Sequence, residues 1–232
     1  MNETGVTIRW HGQACITVAS PGGVTVMIDP FDESIGYRLP PIAPDVVVTT
    51  HRHYDHSNVA GVRGRPKVIQ GLTDDGAWAT IDEMVGDVHL ASVGAYHDEV
   101  RGAKRGRTSL ILLETAELRI LHCGDLGHVL EPEQVRAIGA IDILIIPVGG
   151  VYTVHAEEAR EVVRQLAPRL AVIPIHYQTP QLSLRLDPVD GFLRCWKRIH
   201  RMESNEVFFS KYTPRAGSEG PESVVLSSQP ME

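Results

Sequence analysis

The stretch His51-Arg52-His53-Tyr54-Asp55-His56 sets the terms for the rest of the chain. Its three imidazoles and one carboxylate follow directly on the β-branched run Val46, Val47, Val48, Thr49, Thr50, so a strand is expected to end in a loop of metal ligands. If that loop leaves the strand extended, residues two apart share a face, and His51 and His53 can converge on one ion. Asp55 and His56 come just after and can reach a second. Imidazole nitrogen with carboxylate oxygen suits zinc, and also manganese or iron, so the ligand types alone do not name the metal. A histidine-rich surface loop is the competing reading. Four ligand-type residues at one strand end weigh against it in a chain of ordinary composition.

A chain of 232 residues can bury a full core, and one domain spanning 1–232 is expected rather than two. Its 43% hydrophobic and 22% charged content are those of a soluble globular protein. A formal net charge of -7 gives no electrostatic reason for a nucleic-acid or anionic-membrane partner, although Arg101, Lys104, Arg105 and Arg107 form a local basic group. No run of apolar residues is long enough for a membrane span, and the start Met1-Asn2-Glu3-Thr4 is not that of a signal peptide, so a cytoplasmic location is expected. Cys15, Cys123 and Cys195 are odd in number and lack C-x-x-C spacing, which argues for buried, reduced thiols.

Other ligand-type residues stand where strands run out. Residues 6–10, 14–19 and 24–28 read as strands joined by turn chemistry, and the last delivers Asp29-Pro30. Asp29 is placed to support a ligand imidazole through hydrogen bonds, with a simple strand-ending turn as the alternative. Residues 32–44 look like a loop, with Tyr37 and Leu39 as pocket walls. Residues 67–70 and 88–96 are expected strands, the second ending at His97, and residues 102–108 a mobile loop beside the site. Residues 109–113 and 118–122 pair as a hairpin that leads into Cys123-Gly124-Asp125-Leu126-Gly127-His128, where the glycines let the backbone bring Asp125 close to a metal.

Helical pattern covers residues 131–138 and 155–166, and residues 187–199 are expected to form a third helix opened by Asp187-Pro188. Residues 141–147 and 170–175 are apolar enough for central strands, and the second delivers His176. Residues 207–209 and 224–226 look like a terminal hairpin around a glycine-rich turn. Strands interspersed with helices, and ligands gathered at strand ends, imply an α/β layer structure with its site along one edge of the sheets.

The H-x-H-x-D-H stretch, with Asp29 upstream, His97, Asp125 and His176, resembles the signature of the metallo-β-lactamase superfamily. The stretches 122–128 and 147–153 resemble its branch of small zinc-dependent hydrolases related to ascorbate-6-phosphate lactonase. The resemblance implies an αββα sandwich. It implies that His51, His53 and His97 hold one ion, Asp55, His56 and His176 a second, and that Asp125 bridges them. The chain departs from that branch at Gly12-Gln13, where Gly-His is usual. Lactam-cleaving members carry Cys in place of Asp125, and flavin-linked di-iron members carry Glu in place of His53 and a further domain.

The function implied is hydrolysis of an ester, lactone or phosphodiester bond in a small metabolite, with a bridging hydroxide as nucleophile and Asp55 as a steering or proton-accepting group. Two divalent ions are the expected cofactor, zinc first and manganese or iron after it. His128, Tyr152, Tyr54 and Tyr177 are candidate supporting or pocket residues, each with plain packing as the alternative. Two other functions stay open: a non-catalytic metal-binding module that engages a partner, and a phosphodiesterase acting on nucleotides. Oligomeric state is not legible.

Overall fold

The computed structural model describes residues 4–213 and 220–228. In chain order the strands are β1 (Gly5–Gly12), β2 (Cys15–Ala19), β3 (Thr25–Ile28), β4 (Val46–Thr49), β5 (Lys67–Gln70), β6 (Asp82–Val85) and β7 (Val88–Tyr96). They continue with β8 (Arg107–Thr115), β9 (Leu118–His122), β10 (Ile143–Pro147), β11 (Ala171–Ile175), β12 (Ile199–Arg201), β13 (Glu206–Ser210) and β14 (Glu222–Val225). The helices are α1 (Pro132–Ile138), α2 (Ala156–Leu166) and α3 (Asp190–Leu193). Two sheets form, ordered β13-β1-β2-β3-β4-β5 and β12-β14-β11-β10-β9-β8-β7-β6.

The alternation of each strand decides which face it lends to the core. Along β3, Val26 and Ile28 enter the main core and Met27 points away; β4 repeats this with Val46 and Val48 against Val47. The away-facing set builds an outer cluster of Cys15, Met27, Phe31, Ile35, Tyr37, Val47, Leu182 and Leu186. Residues of the expected 32–44 loop are therefore a lid of packing on the six-stranded sheet. Tyr37 packs 5.7 Å from Phe31 and bonds Thr179 through its hydroxyl, so it is a packing residue and not a pocket wall. In the other sheet β10 is buried along its whole length, paired in parallel with β9 and β11 and covered by α2. Helix α1 packs on β7. The result is the layered α/β sandwich expected.

Two expectations at the C-terminal side are overturned. Residues 187–199 contain only the short α3, which starts at Asp190 without a side-chain cap: the Asp187 backbone is drawn to Gly149 and Gln178 instead, and Gly191 weakens the first turn. The chain then runs on into β12, paired with β14. The expected terminal hairpin does not form, because β13 joins β1 in one sheet while β14 joins β11 and β12 in the other. Each strand satisfies backbone groups at a different sheet edge. Part of the glycine-rich turn between them lies outside the described residues. Of the three thiols, Cys15 and Cys123 are buried and Cys195, just past α3, is exposed. Among the described residues no helix is long and apolar enough to cross a membrane.

His11, on β1, is buried and its Nε2 meets Thr17 Oγ1 at 2.9 Å. Burial, helped by Arg9, pulls its pKa down to about 4. The folded value lies below the ordinary 6.5, so stability is full above that pH and is lost as the unfolded chain takes up the proton between 6.5 and about 4. His11→Gln is expected to lose about 2 kcal/mol less than the parent between pH 7 and pH 5. Urea denaturation at the two values reads this directly; equal losses in both proteins would mean that His11 does not titrate in this range.

Candidate metal centre

Four strand ends deliver the site. His51 follows β4 by one residue beyond Thr49-Thr50, His97 follows β7, Asp125 lies three residues past β9, and His176 follows β11. The glycines flanking Asp125 make this approach possible. Gly124 has φ +48° and a Cβ there would come within 2.8 Å of the Thr50 hydroxyl, while a Cβ at Gly127 would sit 2.3 Å from the backbone of His97 and Asp98. The loop after β9 is thereby pressed against the ends of β4 and β7. Asp29 (φ 52°), His176 (φ 51°) and Gln13 (φ 49°) hold left-handed backbone that non-glycine residues seldom adopt, and all three border the site.

The side chains converge in three overlapping groups. The ligand atoms of His51, His53 and His97 lie within 4.8 Å of one another, and so do those of Asp55, His56 and His176, while Asp29, His51 and His56 form a third group behind these two. Asp125 stands between the first two: its Oδ2 is 3.1 Å from His97 Nε2, 3.2 Å from His56 Nε2, 3.4 Å from His176 Nε2 and 3.8 Å from His51 Nε2. Every one of these residues is buried except His53, which with Tyr54 opens the cluster to solvent.

The donor set fits cations. His56 Nε2, both ring nitrogens of His176, His97 Nδ1 and Asp125 Oδ1 are buried without a hydrogen-bond partner. A polar atom left so costs about 1–3 kcal/mol, a cost that a bound ion removes for nitrogen lone pairs and carboxylate oxygens facing it. Burial, then the neighbouring His56, keeps His51 well below the ordinary imidazole range, which leaves it neutral and able to ligate. Burial also lowers His53. Burial pulls on His56 as well, yet the Asp125 and Asp29 carboxylates outweigh it and hold His56 well above that range. For Asp125 the push of burial is overcome by His176, His56 and His97, so it remains a carboxylate.

Asp29 organises the ligands from behind. Its Oδ1 accepts the Thr50 backbone N–H at 2.7 Å, and its Oδ2 accepts the Thr50 hydroxyl at 2.7 Å and His56 Nδ1 at 2.9 Å. The Thr50 hydroxyl, committed to Asp29, is left to accept from His51 Nδ1 at 3.0 Å. Both histidines are thereby fixed with Nε2 turned to the cluster, where His56 gives up its Nε2 proton when it takes an ion. Asp29→Asn is expected to lower ion affinity about 10- to 100-fold. Chelator competition measures this, and unchanged affinity would reduce Asp29 to a turn residue.

The remaining expected residues lie farther out. His128 accepts the Tyr96 N–H on Nε2 at 3.1 Å and donates from Nδ1 to the Val129 carbonyl at 2.8 Å, so one nitrogen holds the backbone just before His97 and the other its own loop. Tyr152 and Tyr54 are exposed near the opening, and the Arg105 guanidinium lies 5.5 Å over the Tyr152 ring. Tyr177 packs 5.1 Å from Trp10 in the core. The loop around residues 102–108 is tied down, because the Asp98 carboxylate accepts backbone N–H groups of Val100, Gly102, Lys104 and Arg105. Gln13 is marked in the sequence only as the position where the resembling branch carries His, with no role assigned; its amide donates to Asp55 Oδ2 at 2.9 Å. An amide carries no ligand signature of its own, and the tight β1–β2 turn reveals its reach.

With this geometry in view, similarity to known proteins is informative. The beta-lactamase superfamily domain matches residues 7–176. A UPF0173 metal-dependent hydrolase of Pyrobaculum arsenaticum is 32% identical over 230 residues, covering 88% of this chain and 96% of that protein. One of Thermoplasma acidophilum is 30% identical over 199 residues, covering 78% and 87%. A crystal structure from Thermotoga maritima, described as a Zn-dependent hydrolase of the metallo-beta-lactamase superfamily, superposes with a TM-score of 0.75 at 32% identity, covering 97% of this chain and 100% of that one.

Proposed function

The chain belongs to the metallo-β-lactamase superfamily and is a metal-dependent hydrolase, and from that premise we propose that it works with two divalent ions on a small ester, lactone or phosphodiester. The observation that carries this reading is the position of Asp125, whose one oxygen lies 3.1–3.8 Å from imidazole nitrogens of both proposed ligand sets. His51, His53 and His97 would hold one ion and Asp55, His56 and His176 the other, with Asp125 shared. Five imidazoles and two carboxylates favour zinc, with manganese or iron as the alternatives. The same hydrolase domain is taken to run through residues 1–232.

When bound, such a pair of ions would supply Lewis acidity and lower the pKa of a water, so no serine or cysteine nucleophile is needed. The chain's own residues do the rest. The left-handed turns at Asp29 and His176 and the Asp29–Thr50 contacts fix the imidazoles before substrate arrives. Asp55 stays ionised, since contact with His56 outweighs the effect of burial, and it stands next to the opening marked by His53 and Tyr54. Its carboxylate would orient the water between the ligand groups and accept the proton that this water loses in becoming the hydroxide nucleophile. Tyr54 and Tyr152 at the rim give the substrate flat apolar surface outside the reacting centre.

A non-catalytic metal-binding module is disfavoured by the same cluster: seven ligand-type residues around an opening exceed the four closed ligands of a structural zinc. The test is a panel of chromogenic phosphodiester, phosphomonoester, lactone and thioester substrates, run with zinc and with manganese. Turnover that disappears on chelation and returns with metal supports hydrolysis. Full metal content without turnover on any substrate of the panel favours the binding module.

A further inference from the structure

Gln13 lies in the turn between β1 and β2, fully buried and in left-handed backbone conformation. Its two ends hold two different residues of one ligand group. The main-chain carbonyl accepts the His176 N–H at 3.0 Å, and the Trp10 indole N–H at 2.9 Å secures that carbonyl in place. The side-chain Nε2 donates to Asp55 Oδ2 at 2.9 Å. The amide cannot be reversed, because the opposite orientation would set a carbonyl oxygen against a carboxylate. Its Oε1 is then left buried without a donor.

We propose that Gln13 is a positioning residue of the metal centre, clamping Asp55 and His176 in register for the second ion and offering Oε1 to a proton donor that enters with water or substrate. The inference rests on the dinuclear reading above. Asp55 sits at the lip of the site, where an unheld carboxylate is free to turn toward solvent. His176 holds a strained backbone, φ 51°, that its N–H bond to Gln13 and its carbonyl bond to Gly149 at 2.9 Å keep in place. His51, His53 and His97 make no contact with Gln13 among the bonds of the described residues, so the clamp acts on one ion only. An acceptor kept without a donor in a buried site costs about 1–3 kcal/mol, which gives Oε1 a reason to be met in the loaded state.

Competition between the loaded protein and chelators of graded strength, with ion content read by elemental analysis, tests the proposal independently of turnover. Gln13→Met, equal in length and without a donor, is expected to release the more weakly held ion at 10- to 100-fold lower chelator strength while the other ion is retained as in the parent. Gln13→His restores an N–H donor and is expected to recover most of that loss. Gln13→Leu carries the same expectation as Gln13→Met should the Met variant fail to fold. Identical release curves for parent and donor-free variants, or an equal loss in Gln13→Met and Gln13→His, overturn the clamp and leave the dinuclear reading standing. A parent protein that holds a single ion overturns both.

Discussion

Asp125→Asn is expected to be the most damaging single substitution in the protein, lowering both ion content and turnover by more than the 10- to 100-fold typical of losing a supporting partner. The asparagine keeps the shape and removes the charge. In the parent that charge faces four imidazoles at 3.1–3.8 Å, and burial leaves no water to screen it. Each histidine is proposed to serve one ion, whereas Asp125 Oδ2 faces His51 and His97 of one proposed set and His56 and His176 of the other. His51→Ala, His97→Ala and Asp125→Asn should therefore be compared for ions bound per chain and for rate. A near-normal rate and ion content in Asp125→Asn would remove the bridging role.

The second large effect concerns His176, which lies more than a hundred residues from the central histidine motif in sequence. It follows β11, which is buried from Ala171 to Ile175, and its two ring nitrogens are both buried without a hydrogen bond, Nε2 standing 3.4 Å from the Asp125 carboxylate. Packing alone does not account for an imidazole in that condition, since a buried polar ring without hydrogen bonds is destabilising. His176→Ala is expected to weaken the ion held with Asp55 and His56 by at least about 100-fold and to leave the ion of His51, His53 and His97 in place. Metal titration of the variant resolves the two. Unchanged affinity for both ions, with unchanged turnover, would return His176 to the core.

What was legible in the sequence follows from where the physical signal is local. His51, His53, Asp55, His56, His97, Asp125 and His176 are ligand types at the ends of strongly patterned strands, and the structure brings them together. The amphipathic α2, with Ala159, Val162, Val163 and Leu166 inward, announces itself by period, and β10 by its short unbroken apolar run. Gln13 stood out only as a departure from the Gly-His of the resembling branch, and its role was not legible because it depends on a carboxylate forty-two residues away and on a turn that aims both its ends inward. The division of β13 and β14 between two sheets was missed because a strand's pattern does not say which edge it will extend. Likewise, Asp187-Pro188 reads as a helix start, and only the contacts of Asp187 with Gly149 and Gln178 show why the helix begins later and stays short.

The most direct test of a two-ion centre is a metal titration of the chelator-stripped protein, with ions per chain counted by elemental analysis and again after extensive dialysis. The arrangement of His51, His53 and His97 on one side of Asp125 and of Asp55, His56 and His176 on the other predicts two ions bound per chain, in two steps separable by His176→Ala. A single tightly bound ion, with no second site at any metal concentration, would contradict it.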